Sequence, residues 1–201
     1  MYPFFETIRY CNGVLENLPY HQQRVNSTFL HFNVAEILPL AAIQIQKSAS
    51  FPCEQLGNAV YKCKIQYNLK GDYTIAFTPY SIKAIRSIEI VEVINKHYNH
   101  KYTNRDWINH LLAKANADEI IIVDNGIVKD ASYANLCFFD GENWFTPQNP
   151  LLLGTRRAFL LDNGIIQEKE IRVQDLFRYQ AVRLINAMML WQESTTLQLN
   201  K

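Results

Sequence analysis

The sequence predicts an α+β fold in two domains, and three observations carry that reading. Strand-like and helix-like patterns mix in the first eighty or so of the 201 residues. The rest is strand-rich with few helices, and Asn125-Gly126 and Asp140-Gly141 mark two tight hairpins in it. Between the two parts, Phe77-Thr78-Pro79-Tyr80 breaks the pattern. The expected division is a small α/β domain over 1–79, a linker over 80–86 and a larger β-rich domain over 87–201.

Taken in order, Phe4 to Cys11 reads as a strand, Asn12-Gly13 as a tight turn and Val14-Leu15 as the return. From Tyr20 to Phe32 the period is helical, with Val25, Phe29 and Phe32 on one face. A second helix is expected within 34–48, before the loop at Ser50-Phe51-Pro52. Ala59 to Tyr67 and Tyr73 to Thr78 are strands joined at Gly71-Asp72. Ser87 to Ile94 is a strand, and Asp106 to Ala117 an amphipathic helix with Trp107, Ile108, Leu111, Leu112 and Ala115 on one side. The hairpins pair Glu119–Asp124 with the run through Val128, and Asn135–Phe139 with Trp144-Phe145. Gly154 opens a helix that stops at Asn163-Gly164. A strand over 165–171, a short helix over 174–180 and a buried strand over 181–187 complete the chain.

Bulk composition excludes several classes. Hydrophobic residues make up 48% and charged residues 19%, and the net charge is +1 without a long basic block. Binding to nucleic acid or to a membrane surface by bulk electrostatics is therefore not expected. No apolar run approaches the length of about 18 residues that a membrane helix needs. The start, Met1-Tyr2-Pro3-Phe4, has no basic segment followed by an apolar one, so a cytoplasmic protein is expected. Cys11, Cys53, Cys63 and Cys137 form no CxxC pair and no finger spacing, which favours reduced thiols over disulfides or a metal site. His97, Asn99 and His100 lack a nearby acidic or thiol partner in sequence, so no metal is expected there either.

Several residues carry possible chemistry, each against a plainer alternative. Lys101 follows a strand, precedes a helix and sits among polar residues. Most lysines are solvated surface charges, but a partly desolvated one offers a free amine. Asp130 lies two residues past Val128, where it is either a surface aspartate or a carboxylate buried against a cation. A lysine and an acid in this order are what a protein needs to hold pyridoxal phosphate: the lysine for the aldehyde, the acid to keep the pyridine nitrogen protonated. Arg24, three residues after His21 on the first helix, is either exposed or reaches a phosphate. Gly154-Thr155-Arg156-Arg157 at a helix start is a weak anion-site signal. Asn186, ending a buried strand, is either a phosphate contact or a core-edge residue. The chain contains no G-x-S-x-G, H-E-x-x-H or G-x-x-x-x-G-K-[ST].

In sequence order, Phe5-Glu6-Thr7-Ile8-Arg9, His21-x-x-Arg24, Lys101-x-x-Asn104, Ala117-Asp118-Glu119, Gly126-x-Val128-x-Asp130 with Asn135, Phe145-Thr146-Pro147, Gly154-x-x-Arg157 and Asn186-Ala187-Met188-Met189 resemble the class IV aminotransferase superfamily over about residues 4 to 191. This is the fold-type IV group of pyridoxal-phosphate enzymes. The resemblance implies pyridoxal 5′-phosphate held between a small and a larger domain, in a homodimer acting on a small-molecule amine. It makes Lys101 the Schiff-base lysine and Asp130 the partner of the pyridine nitrogen. It puts Arg24, Thr155, Arg156 and Asn186 on the phosphate side, and Thr7 and Arg9 near substrate. The chain departs from the family in two places. Only about four residues precede the first strand where relatives carry some thirty, and position 130 holds aspartate where glutamate is usual.

Within the superfamily, Lys101-x-x-Asn104-Arg105 and Asn186-Ala187-Met188-Met189 look most like aminodeoxychorismate lyase, an enzyme of folate biosynthesis. The expected reaction is conversion of 4-amino-4-deoxychorismate to 4-aminobenzoate and pyruvate. An amino-acid aminotransferase of the branched-chain or D-amino-acid type is the alternative, and a cofactor-binding relative without this activity is a third.

Overall fold

The computed structural model describes residues 2–52 and 59–199 and divides into two compact units. Cys53 lies outside the described residues. The first unit comprises 1–82 with 100–104, and the second 83–99 with 105–201. In place of the expected single boundary near 79, the chain passes between the units three times, because the segment around Lys101 joins the first unit.

In the first unit, β1 (Phe4–Cys11) turns through Asn12 and Gly13, both at positive φ, into β2 (Val14–Leu15). Helix α1 (Leu18–His31) follows, with Pro19 in its first turn, where its missing N–H costs no hydrogen bond. Strands β3 (Tyr61–Tyr67) and β4 (Tyr73–Pro79) complete an antiparallel sheet of order β2-β1-β3-β4. Side chains alternate across it. Phe4, Ile8, Tyr10, Cys63, Ile65, Tyr67 and Phe77 pack with Val25 and Phe29 of α1. The opposite face carries Phe5, Thr7 and Arg9 beside Gln66, Lys64 and Lys62.

The second helix expected within 34–48 does not form. Two short 3₁₀ turns, Leu40–Ala42 and Ile45–Lys47, stand in its place. Pro39 cannot donate into a helix and disfavours helical geometry at Leu38. Gln22 fixes the segment instead: its Nε2 donates to the Leu38 carbonyl at 3.0 Å and its Oε1 accepts from the Leu40 N–H at 2.7 Å. Phe4 and Phe5 are buried within the chain.

β2 covers only the far end of β1, leaving the edge of Phe4 and Phe5 open. Residues 101–103 fill it. The Phe5 N–H donates to the Lys101 carbonyl at 3.0 Å, the Thr103 N–H donates to the Pro3 carbonyl at 2.8 Å, and Tyr102 bridges Phe4. These bonds are why a segment distant in sequence belongs to this unit.

The second unit holds two sheets. β5 (Ile88–Val93), followed by α2 (Asp106–Lys114), pairs in parallel with β6 (Glu119–Asp124). β6 returns antiparallel through Asn125 and Gly126, at positive φ, to β7 (Ile127–Ala131). A five-stranded sheet is built from β8 (Asn135–Phe139), β9 (Trp144–Pro147), β10 (Gln167–Lys169), β11 (Ala181–Ile185) and β12 (Thr196–Gln198), in the order β10-β9-β8-β11-β12. Ile121, Val123 and Val128 of the first sheet share a core with Leu136, Phe138, Val182 and Leu184 of the second.

Helix α3 (Thr155–Asp162) ends as its glycine foretells. The Gly164 N–H bonds the Leu161 carbonyl and the Ile165 N–H bonds the Leu160 carbonyl, with Gly164 at φ 66°. The strand expected over 165–171 shortens to β10, and the helix expected over 174–180 is a 3₁₀ segment, Val173–Arg178. Among the described residues no helix is long and apolar enough to cross a membrane.

Candidate active site

In the first unit the chemistry centres on Glu6. Its side chain points from β1 toward α1, is fully buried and is held by two residues of that helix. Arg24 Nε donates to Oε1 at 2.8 Å and Arg24 Nη2 donates to Oε2. His21 Nδ1 lies 2.5 Å from Oε2 and donates to it. Burial alone would raise the Glu6 pKa, but the Arg24 charge and the His21 hydrogen bond outweigh it and hold the carboxyl at about 2. Burial lowers the pKa of His21, disfavouring its charged form against the pull of Glu6. The spacing His21-x-x-Arg24 is what puts both side chains on one helix face toward Glu6. Arg24, expected at a phosphate, is anchored in this cluster.

Lys101 lies on the edge segment paired to β1. It is half-buried, and its Nζ sits 4.8 Å from the centroid of the Phe5 ring. Thr7 and Arg9 follow Phe5 on the same face of β1. Arg9 is buried and pairs through Nη1 with Glu16 at 2.6 Å. Thr103 anchors the segment further, its Oγ1 donating to the Tyr2 carbonyl at 2.6 Å.

In the second unit, Asp130 occupies an irregularity of β7. Ile121 pairs with Ala131 and Val123 with Val128, so Lys129 and Asp130 together oppose Ile122. Such a bulge re-aims a side chain. Asp130 is buried; its Oδ1 accepts from Asn135 Nδ2 at 2.7 Å and its Oδ2 from the Leu152 N–H at 2.9 Å. Burial raises its pKa to about 7, although both hydrogen bonds and the charge of Arg157 pull the other way. The loop beyond it is pinned as well. Glu119 accepts from the Ser132 N–H and Oγ, each at 2.9 Å, and Arg105 Nη2 donates to the Ser132 carbonyl.

Asn135 links Asp130 to the start of α3. Its Nδ2 also donates to the Leu152 carbonyl at 2.8 Å, and a Cβ added at Gly154 would fall 1.9 Å from its Oδ1. Only glycine fits there. Thr155, Arg156 and Arg157 are buried in the first turn of α3. Arg156 lies over the Phe159 ring at 5.5 Å, while Arg157 donates to the Pro147 carbonyl at 2.9 Å and to Glu168 at 2.6 Å. Asn186 closes the end of β11, accepting from the Met188 N–H at 2.8 Å.

The first unit therefore collects Lys101, Arg24, Thr7 and Arg9, and the second Asp130, Thr155, Arg156 and Asn186. Sequence reasoning gave no roles to Glu6, His21 or Asn135. The first two could have been suspected from a glutamate in an apolar strand preceding His21-x-x-Arg24. Asn135 left a fainter signal, a polar residue opening the buried run Leu136-Cys137-Phe138. Cys63 and Cys137 are buried, with thiols pushed up to about 12, and are inert at neutral pH.

The family model for amino-transferase class IV matches residues 3–195. An uncharacterized protein of Haemophilus influenzae is 36% identical over 189 residues, covering 94% of this chain and 98% of that protein. The crystal structure of a candidate 4-amino-4-deoxychorismate lyase from Haemophilus somnus superimposes with a TM-score of 0.84 at 38% identity, covering 94% of this chain and 97% of that one. The structure of a candidate amino-acid aminotransferase from Mesorhizobium loti gives a TM-score of 0.78 at 21% identity, covering 92% and 94%, and its likeness is one of fold.

Proposed function

Because the chain belongs to the class IV aminotransferase family, a family of pyridoxal 5′-phosphate enzymes, we propose that it is a lyase converting 4-amino-4-deoxychorismate to 4-aminobenzoate and pyruvate. The observation that carries the choice of reaction is the 38% identity, over nearly the full length of both chains, to the Haemophilus somnus candidate lyase. The Lys101-x-x-Asn104-Arg105 and Asn186-Ala187-Met188-Met189 strings point the same way.

The residues suit the cofactor. Asp130 is a carboxyl whose pKa burial raises to about 7 against the pull of Arg157, and a pyridinium nitrogen is a partner that would restore its charge. In this reading Lys101 carries the cofactor, Asp130 faces its ring nitrogen, and Arg24, Thr155, Arg156 and Asn186 serve its phosphate. Bound there, the cofactor supplies an electron sink for the carbon next to the substrate amine. Lys101 Nζ, released as a free amine when the substrate amine takes its place, would take the proton from that carbon. The carbon–oxygen bond to the enolpyruvyl group then breaks, the ring becomes aromatic, and the leaving enol gains a proton and departs as pyruvate. Thr7 and Arg9 orient the substrate. Glu6 holds Arg24 through two hydrogen bonds and so positions it.

The alternative, an amino-acid aminotransferase, is favoured by the family description and shares the proton abstraction. In it Lys101 would hand the proton back with no leaving group departing from the substrate. Measuring pyruvate release from aminodeoxychorismate beside amino transfer to 2-oxoglutarate separates the two. Pyruvate without amino transfer is the expected result, and amino transfer alone overturns the lyase reading. A homodimer is part of the proposal, on the resemblance to the family, and sedimentation at assay concentration checks it.

A further inference from the structure

We infer that Lys64 is a specificity residue of this site, the cation that receives a substrate carboxylate remote from the reacting amine. The inference rests on the proposed attachment of the cofactor at Lys101.

The sheet of the first unit has one apolar face against α1 and one polar face. On the polar face the register sets Thr7 opposite Lys64 and Arg9 opposite Lys62, while Phe5 pairs with Gln66. β4 adds Thr74, Ala76 and Thr78 to the same face. No acid stands among these strand residues. Arg9 is committed to Glu16. Among the described residues, no carboxylate lies within ion-pair distance of Lys62 or Lys64.

Lys64 is a cation of this face that approaches the same ring as the reactive lysine. Its Nζ lies 5.2 Å from the centroid of the Phe5 ring, the same ring that Lys101 Nζ approaches at 4.8 Å. Phe5 thus bears two ammonium groups, one for the reacting amine and one that has no carboxylate within ion-pair distance among the described residues. A half-buried ammonium so placed is a receptor for an anion. An α-amino acid carries its carboxylate on the amine-bearing carbon itself, beside Lys101. A ring substrate with a carboxylate para to the amine carries it further out, toward Lys64. The chemistry recognised is therefore a cyclic amine with a remote carboxylate.

The test uses the holoenzyme and two ligands that differ only in that charge, 4-aminobenzoate and 4-aminobenzamide, with affinities measured by titration calorimetry. Wild type should bind the acid more tightly than the amide. Lys64→Gln should weaken the acid about tenfold, leave the amide unchanged and raise KM for aminodeoxychorismate more than it lowers kcat. Lys64→Arg should restore most of the affinity. Equal binding of acid and amide by wild type, an unchanged Lys64→Gln affinity, or an equal loss for both ligands would overturn the inference. Absence of pyruvate release by wild type would instead sink the lyase reading, and the binding comparison would still decide the role of Lys64.

Discussion

Asn135 Nδ2 donates to Asp130 Oδ1 at 2.7 Å and, from the same amide, to the Leu152 carbonyl at 2.8 Å. One side chain thereby ties the bulge in β7 to the residues before α3. It fixes which way the Asp130 carboxylate points, and its carbonyl oxygen occupies the space that a side chain at 154 would need. The acid and the residues before the helix start are joined through one amide. That coupling makes the arrangement sensitive to single atoms.

Gly154→Ala tests that sensitivity. The new Cβ would lie 1.9 Å from Asn135 Oδ1, so the amide or the loop must shift. Overpacking of this kind costs about 1–3 kcal/mol, and a lower Tm with weakened cofactor binding is expected. Unchanged values for both would mean that the loop accommodates the methyl freely.

Asp130→Asn should keep the cofactor bound and lower turnover on the order of a hundredfold, about 2.7 kcal/mol of barrier. An amide cannot hold the ring nitrogen protonated by charge. Steady-state kinetics beside cofactor absorbance measure both quantities, and near-normal turnover would mean that another acid faces the ring.

The two buried acids give stability opposite pH dependences in the cofactor-free protein. Asp130 has its folded pKa raised from 3.8 to about 7, so folding takes up a proton within that window. Its contribution to stability falls as pH rises from about 4 to about 7. Glu6 has its pKa lowered from 4.5 to about 2, so its contribution is present above pH 4.5 and is lost as pH falls through 2. Melting temperatures across pH should therefore show Asp130→Asn removing a decline toward neutrality and Glu6→Gln removing a decline toward acid.

Glu6→Gln should also be costly at neutral pH. Taking one charge from a buried pair strands the other, typically at about 3–5 kcal/mol. Urea unfolding should register a loss of about 3 kcal/mol, and a loss below about 1 kcal/mol would mean that Arg24 is resolvated in the variant.

Much of this was legible in the sequence because local chemistry dictates it. Asn12-Gly13 and Asn125-Gly126 force tight turns, and Gly164 ends α3 in the geometry that glycine permits. Three features were not legible, for different reasons. The failed helix over 34–48 turned on Pro39 and on Gln22, a residue 16 positions before Leu38. The capture of residues 101–103 by β1 depends on an edge left open by the shortness of β2. The bulge at Asp130 is a matter of register against β6, which periodicity within one strand does not reveal. At the site, residue types signalled Lys101 and Asp130, whereas Glu6 and Asn135 act through partners distant in sequence.

The central claim is that Lys101 carries the cofactor, and borohydride reduction of the holoenzyme followed by peptide mass spectrometry tests it most directly. Reduction fixes the cofactor to whichever lysine holds it. The pyridoxyl adduct is expected on Lys101 and should disappear in Lys101→Ala. An adduct on Lys114 or Lys129 would contradict it.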